Sequence, residues 1–394
     1  MLKKENKAIY LFFVALVFTY IGSTLQSGIF NNFAVEKLKI LPSQLGIYES
    51  LRESPGIIAV FFVSLLMFWQ EQYLAGISAL MMAIGYFFYG FTSKWNQLLF
   101  IGFFASLGLH IHLPLSNTIA LYLSKVNHEG RMLGLVQRMS YVGQFLAMGF
   151  IIAFGKLIPY SYIFIASSIA LIIASVFYFM LPKTVGIKEK PKIVLKKEYW
   201  VYYVLTFLEG CRKQIFITFA IFVLVKVYHI SVQLTAILLF INSILVILIS
   251  PTIGRLIDKY SEKKVLFISY FLVFFVFLGY ATIHKLIFLI ICYNLDNILY
   301  LGSISLTSYI NKIAPKKDLR PTLSTGVAMN HMAAVVMPIL GGIIWVKVGY
   351  EVVFMVGAFV VLVSLFFMKY MKDNRTRGDS NTQPSDPQSD ALST

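Results

Sequence analysis

Two groups of charged side chains lie inside long apolar segments of the sequence, where ionised residues are rare. The groups are Glu49, Arg52 and Glu53, and Glu209, Arg212 and Lys213. The i, i+3, i+4 spacing within each group places its three side chains on one face of a helix. A charge at the centre of a membrane-spanning helix costs about 2.5–3.5 kcal/mol on insertion scales. We therefore expect both faces to contact protein or a hydrated pathway rather than lipid.

The first group has the residues for proton chemistry. Glu49 and Glu53 flank Arg52, so one carboxylate could carry a proton while the group rearranges, and Arg52 could then contact a substrate. The alternative interpretation is a structural cluster that neutralises itself.

The second group has one excess positive charge, which in an apolar cavity attracts an anionic group. Arg212 and Lys213 are therefore candidate substrate contacts, and Glu209 is a candidate proton carrier. The competing interpretation pairs this group with Asp296, near the middle of a later apolar segment. Asp296 is itself a candidate proton carrier, and its neighbour Asn297 is a candidate substrate contact.

Four more polar residues lie within apolar segments. Arg138 could contact a substrate, or its long side chain could reach the membrane interface. Asn330 occupies the corresponding position of the second half, and His331 follows it. Histidine is the side chain that changes charge near physiological pH, and the alternative, slightly favoured, is a buried His331 whose hydrogen bonds are satisfied. His110 is a candidate hydrogen-bonding group, and all four residues are candidate substrate contacts.

The cysteines and histidines do not have the spacing of a metal site. His110 and His112 lie about 200° apart around a helix, so both cannot easily bind one ion. Cys211 and Cys292 are far apart in the sequence. We therefore expect no metal and no other cofactor.

The composition is that of a membrane protein. Of the 394 residues, 58% are hydrophobic and 13% are charged, and the mean hydropathy is +0.76. Apolar runs of about 20 residues recur along the chain, the length that a membrane-spanning helix needs. Basic loops account for the net charge of +16, so this charge does not indicate nucleic-acid binding.

Twelve apolar runs predict an all-α membrane protein with twelve transmembrane helices. If the N-terminus is cytoplasmic, the inside segments hold 23 of the 34 lysines and arginines, and the outside loops hold seven. Cytoplasmic loops are enriched in these residues. The distribution therefore predicts that both termini are cytoplasmic.

The longest internal hydrophilic stretch divides the chain into two halves of six predicted helices. We expect an N-terminal bundle at 1–182, a basic cytoplasmic linker at 183–198, a C-terminal bundle at 199–372 and a disordered cytoplasmic tail at 373–394. Weak similarity between the halves, such as GIFNNFA at 28–34 and QIFITFA at 214–220, indicates a duplicated, pseudo-symmetric unit.

The loop between the eighth and ninth apolar runs reads GRLIDKYSEKK from Gly254 to Lys264. It resembles the loop signature G-x-L-A-D-R-x-G-R-R of the major facilitator superfamily, in its bacterial form with twelve helices. Ser261 replaces a glycine of the signature, and the matching loop of the first half, FWQEQ at 68–72, lacks the signature. The resemblance implies two six-helix bundles that rock around a central site.

The same resemblance implies a gating loop at the cytoplasmic side. Gly254 would let helices pack closely, and Asp258 would pair with a basic group or a helix N-terminus across the gate. Lys259 and Lys263 would bind helix carbonyl groups or anionic lipid headgroups.

The sequence contains no phosphate-binding Walker loop and no hydrolase or dinucleotide-binding motif, so we expect neither an enzyme nor an ATP-driven pump. The expected function is secondary active transport of a small organic solute, anionic or zwitterionic, by alternating access with proton coupling. Export is slightly favoured over uptake. The alternatives are a multidrug-type efflux pump for amphipathic compounds and a non-transporting receptor on the same scaffold.

We expect a monomer whose partners are the substrate, protons and the lipid bilayer, with no nucleic acid. The Lys-rich, Cys-poor composition is typical of a bacterial chain, which places it in the inner (cytoplasmic) membrane as a multi-pass protein. On this interpretation, Arg212→Ala should abolish substrate movement and leave folding largely intact.

Overall fold

The computed structural model describes residues 2–65, 69–124, 128–183 and 195–372. Most of these residues are helical, and the described part of the chain contains no β-strand. The α-helices are α1 (Leu2–Glu36), α2 (Pro42–Leu65), α3 (Glu71–Tyr89), α4 (Trp95–Leu123), α5 (Glu129–Phe154), α6 (Tyr160–Phe179), α7 (Trp200–Lys226), α8 (Val232–Tyr260), α9 (Glu262–Thr282), α10 (Leu286–Tyr300), α11 (Ile304–Ile313), α12 (Lys316–Val348) and α13 (Tyr350–Phe367). Residues 184–194 of the predicted linker and the whole predicted tail lie outside the described residues.

Each of the twelve predicted apolar runs coincides with a helix. Within the described residues, ten helical segments are long and apolar enough to cross a membrane, with α10 and α11 forming one such segment, Leu286–Ile313. A short 3₁₀ turn at Leu301–Ser303 joins these two helices. The two remaining long helices, α2 and α7, carry the two charged groups identified from the sequence.

The helices of each half pack mainly on one another. In the first half α1 packs on α5 and α6, and α3 packs on α4 and α6. In the second half α7 packs on α12 and α13, and α9 packs on α13. The halves meet chiefly where α2 contacts α12 and where α5 contacts α8.

Hydrogen bonds join the halves at the end of the molecule where α1 and α7 end and α2 and α8 begin. In the predicted orientation this is the outer end, and the opposite end is the inner end. The Asn32 amide donates to the carbonyl oxygen of Ile230 at 2.9 Å, and the Thr235 hydroxyl donates to Asn32 Oδ1 at 3.0 Å. The Lys226 ammonium donates to the carbonyl oxygen of Ile40 at 2.9 Å. These bonds close the outer end.

Helices α5 and α8 converge at the outer end and separate at the inner end. Near the outer end, a Cβ atom added to Gly155 would lie 3.2 Å from a Val232 methyl group. Nearer the middle of the two helices, the centres of the Phe145 and Phe240 rings lie 5.0 Å apart. Near the inner end, a Cβ atom on Gly134 would have no neighbour within 4 Å. The space between the halves therefore opens toward the inner end.

Close contact of α2 with α12 depends on glycine at Gly46. A Cβ atom added there would overlap the carbonyl oxygen of Pro338. The Gly46→Ala variant should therefore unfold at a lower temperature than the wild type, because overpacking costs about 1–3 kcal/mol.

Gly149→Ala is the matched control, because a Cβ atom on Gly149 has no neighbour within 4 Å. Alanine within a helix is more stable than glycine by about 0.5–1 kcal/mol, so this variant should keep or raise the unfolding temperature. If thermal unfolding in detergent shows equal midpoints for the two variants, the close approach of α2 and α12 is wrong.

Candidate functional site

The first charged group forms an ion-paired cluster on α2. One Arg52 Nη atom lies 2.7 Å from Glu49 Oε2 and 2.7 Å from Glu53 Oε1, and Arg52 Nε donates to Glu49 Oε2 at 2.8 Å. Glu49 is buried. The three side chains carry a net charge of minus one, so a single proton would neutralise the group.

Two histidines from other helices face the remaining oxygen of Glu53. His110 Nε2 on α4 and His331 Nδ1 on α12 each lie 3.7 Å from Glu53 Oε2. The centroids of the two imidazole rings are 5.3 Å apart. Gly56, almost one helical turn beyond Glu53, leaves room for His331, because a Cβ atom there would overlap the imidazole ring. We call Glu49, Arg52, Glu53, His110 and His331 the Glu53 cluster, and it joins the two halves.

Local hydrogen bonds orient His110 toward Glu53. His110 Nδ1 lies 2.9 Å from the Ser106 carbonyl oxygen, and the Ser106 hydroxyl donates to the carbonyl oxygen of Arg52. If His110 carries its proton on Nδ1, it donates that proton to the Ser106 carbonyl oxygen. The lone pair of Nε2 is then directed at the Glu53 carboxylate. His331 Nδ1 is buried and has no hydrogen-bond partner among the described residues. A proton shared with Glu53 would satisfy either nitrogen.

The same three side chains have the donor types of a transition-metal site. Their ligand atoms, from Glu53, His110 and His331, lie within 4.8 Å of one another. Arg52 already supplies a positive charge to the same carboxylate, which disfavours a divalent cation more than a proton. His112 is not part of this group, because its ring nitrogens contact Ser78 and Tyr178.

The second charged group is buried more deeply. The Arg212 guanidinium contacts Glu209 Oε1 at 2.6 Å and Asp296 Oδ1 at 2.9 Å, and Arg212 is only 2% exposed. The ammonium of Lys213 lies 4.7 Å from the centre of the Tyr300 ring. We call Glu209, Arg212, Lys213 and Asp296 the Arg212 cluster, and its formal charges balance.

This geometry matches the competing interpretation of the second group, in which Asp296 neutralises it. Arg212 has both carboxylates as partners, so its predicted role as a substrate contact requires a rearrangement. Lys213 forms no ion pair within the described residues and remains the more available cation. The amide of Asn297 donates to the carbonyl oxygen of Tyr293 at 2.8 Å, and Asn330 packs against Gly210 of α7.

Arg138 lines a separate cavity between α5 and α8. The cavity has a volume of about 570 Å³ and includes Gln137, Tyr141 and Ser250 among its polar lining residues. Among the described lining residues, Arg138 alone carries a permanent charge. The cavity lies on the inner-end side of the Phe145–Phe240 contact, so a solute could reach it from that side.

The predicted gating loop only partly matches its expected geometry. A Cβ atom on Gly254 would have no neighbour within 4 Å among the described residues, so these residues do not form the expected close packing at Gly254 in this conformation. Asp258 is exposed and forms no ion pair with any described residue. Lys259 lies over the Tyr260 ring at 5.1 Å. Lys263 donates to the carbonyl oxygen of Met371 at 2.8 Å.

Both halves of the chain match one family of proteins. The sequence model of the Major Facilitator Superfamily matches residues 12–205 and residues 202–392. The chain belongs to the Major Facilitator Superfamily. Superfamily membership identifies a membrane transporter rather than an enzyme.

Solved structures of superfamily transporters share the fold. Two crystal structures of the nucleoside transporter NupG, the first of a mutant, give TM-scores of 0.77 and 0.75 at 16% sequence identity. The matches cover 92% of this chain and 100% and 98% of those chains, respectively. A bacterial homolog of the human lysosomal transporter Spinster, in an inward-facing and occupied conformation, gives a TM-score of 0.72 at 10% identity, covering 93% and 97% of the two chains. No curated protein matches the sequence.

Arg212→Met is expected to destabilise this superfamily member strongly, because Glu209 and Asp296 would remain buried without a counter-charge. Removing one partner of a buried ion pair costs about 3–5 kcal/mol. The geometry therefore replaces the expectation that Arg212→Ala leaves folding largely intact. Thermal unfolding in detergent should show a large drop in the midpoint.

Two further variants test the cause of this loss. The triple variant Arg212→Met, Glu209→Gln and Asp296→Asn should recover most of the lost stability, since neither acid is then left buried without its Arg212 partner. Lys213→Met should unfold near the wild-type temperature, because Lys213 neutralises no contacting carboxylate. An Arg212→Met protein as stable as the Lys213→Met protein would contradict the position of Arg212 between two acids.

Proposed function

We propose that this protein is a secondary active transporter that moves a small organic anion or zwitterion by alternating access, with protons as the coupling ion. The proposal includes twelve membrane-spanning helices in two bundles, cytoplasmic termini and a monomer in the inner membrane of a bacterium. The proposal depends on two separate features, the Arg138 cavity between α5 and α8 and the Glu53 cluster, which joins the two halves through α2, α4 and α12. Export is the direction that the resemblance favours.

The contacts between the halves support alternating access. Hydrogen bonds from Asn32 and Lys226 close the outer end, whereas Gly134 and Gly254 at the inner end face open space. Glycine is suited to close helix contacts, so these residues would allow the inner ends of α5 and α8 to approach each other. The structure is then the inward-open state of the cycle.

The charge distribution supports an anionic or zwitterionic substrate. Arg138 is the one permanently charged residue in the cavity lining and forms no ion pair with the described residues. Arg138 is exposed in the open cavity, where a cation without a counter-ion attracts an anionic group. Lys213 is a second cation without a carboxylate partner among the described residues, and it is the second candidate contact for the solute.

The Glu53 cluster supports proton coupling. Glu49, Arg52 and Glu53 leave one net negative charge, and two imidazoles lie 3.7 Å from the unpaired oxygen of Glu53. Enclosing a net charge between packed helices is unfavourable, so protonation should favour the closed outer end. Loss of the proton should favour separation of His331 from Glu53, which opens the outer end.

The walls of the Arg138 cavity favour one second candidate, a multidrug-type exporter of amphipathic compounds. Apolar and aromatic side chains make up most of the lining, including Phe145, Val246 and Ile247. Such walls bind apolar groups of varied shape. On this alternative, neutral amphipathic compounds would bind as well as anionic ones.

The first experiment is a thermal-shift screen of the purified protein against metabolites, organic anions, sugars and drugs. A compound at 100 times its dissociation constant should stabilise the protein by about 2.7 kcal/mol. Organic anions and zwitterions should raise the unfolding temperature. A panel in which only neutral amphipathic compounds stabilise the protein would favour the multidrug alternative.

Arg138→Gln should reduce transport of an anionic hit at least tenfold in proteoliposomes, because the cavity would lose its only permanent charge. Arg131→Gln is the matched control, since Arg131 lies on the same helix, is exposed and does not line the cavity. Flux should be measured in both directions. Equal flux in the two variants would exclude Arg138 as the anion-binding residue.

His331→Gln should flatten the pH dependence of this transport, because the substituted amide cannot take up a proton. His284→Gln is the matched control, since His284 also faces a carboxylate, with Nε2 3.3 Å from Glu351, but is exposed. The control should keep the wild-type pH profile. If His331→Gln also keeps that profile, proton coupling does not pass through this histidine.

A further inference from the structure

A second cavity lies on the outside of the second half, away from the Glu53 cluster and the Arg138 cavity. It is formed by the inner ends of α9 and α13 and has a volume of about 650 Å³. Lys263, Lys264 and Lys369 lie along it, together with the apolar side chains of Phe267, Ile268 and Leu365. We call this cavity the α9–α13 groove. The proposed transport mechanism does not use it.

The three lysines of the α9–α13 groove have no carboxylate partner among the described residues. Lys264 and Lys369 are exposed, and Lys263 is held by the carbonyl oxygen of Met371. The acid next to Lys263 and Lys264 in the sequence, Glu262, is paired with Lys312 at 2.6 Å and accepts a hydrogen bond from Ser308. The groove therefore presents positive charge that no described carboxylate neutralises.

The apolar part of the groove continues from these lysines along α9. Phe267 and Ile268 follow Lys264 by about one helical turn and are 49% and 57% exposed. Phe267 stacks in parallel with Phe271, one further turn along the helix. Because α9 is one of the apolar helices able to cross a membrane, this surface can hold an acyl chain.

Aromatic residues near the groove lysines indicate that this part of the molecule lies at the membrane–water interface. The Trp200 and Tyr370 rings lie 5.4 Å apart near the inner ends of α7 and α13. The ammonium of Lys369 lies 3.6 Å from the centre of the Phe366 ring. Tryptophan, tyrosine and lysine concentrate where lipid headgroups meet the hydrocarbon. The lysines are thus at the depth of a phosphate and the phenylalanines at the depth of acyl chains.

We propose that the α9–α13 groove is a binding site for an anionic phospholipid of the inner leaflet. Lys264 and Lys369 bind the phosphate and the anionic headgroup, and Lys263 is fixed beside them by its carbonyl bonds. Phe267 and Ile268 contact the first acyl chain. Basic residues at the cytoplasmic side of a membrane helix attract anionic lipids in this way.

The test uses the full-length protein in detergent with dioleoyl-phosphatidylglycerol or dioleoyl-phosphatidylcholine added. Native mass spectrometry should show at least tenfold stronger retention of phosphatidylglycerol by the wild type. The double variant Lys264→Gln, Lys369→Gln should lose this preference. The matched control Lys94→Gln, Lys285→Gln changes two exposed lysines of the predicted outer loops and should keep it.

Three results would overturn the proposal. They are equal retention of the two lipids by the wild type, an unchanged preference in the Lys264 and Lys369 double variant, and loss of the preference in the control. Competition with inorganic phosphate is a further test, because phosphate is anionic like the headgroup but has no acyl chains. If millimolar phosphate displaces phosphatidylglycerol, the groove is a simple anion site and the lipid assignment fails.

Discussion

An ionised side chain that an apolar helix bundle closes off from water needs an opposite charge within a few ångströms, because neither lipid nor apolar side chains can solvate it. Arg52 meets this requirement with Glu49 and Glu53, and Arg212 meets it with Glu209 and Asp296. The two groups differ in their surroundings. The Arg212 cluster balances its charge within one half, whereas the Glu53 cluster keeps one negative charge and reaches a histidine of the other half.

This difference suits the Arg212 cluster to a structural role and the Glu53 cluster to a role in conformational switching. A balanced and buried group holds α7 and α10 together whatever the positions of the halves. An unbalanced group at the contact of α2, α4 and α12 changes the energy of that contact when it gains or loses a proton. Close packing at Gly46 and open space at Gly134 and Gly254 give the halves room to respond at the inner end.

The family, the helix positions and the charged groups could be predicted from the sequence, because hydrophobic runs and charge spacing are local properties. The pairing of Arg212 with Asp296 was one of two open interpretations, since a sequence does not fix which side chains meet across helices. The approach of His331 to Glu53 was missed for the same reason, although both residues were candidates. The open space at Gly254 depends on the conformational state, which no local pattern encodes.

The most direct test of proton-controlled alternating access is a distance measurement by double electron–electron resonance. Spin labels would replace Arg131 and Lys259 at the inner end in one protein and Leu41 and Val227 at the outer end in another, with Cys211 and Cys292 changed to alanine. At low pH the inner distance should be long and the outer distance short, and raising the pH should populate the reverse pair. Distances that do not change with pH, or that change in the same direction at both ends, would contradict the account.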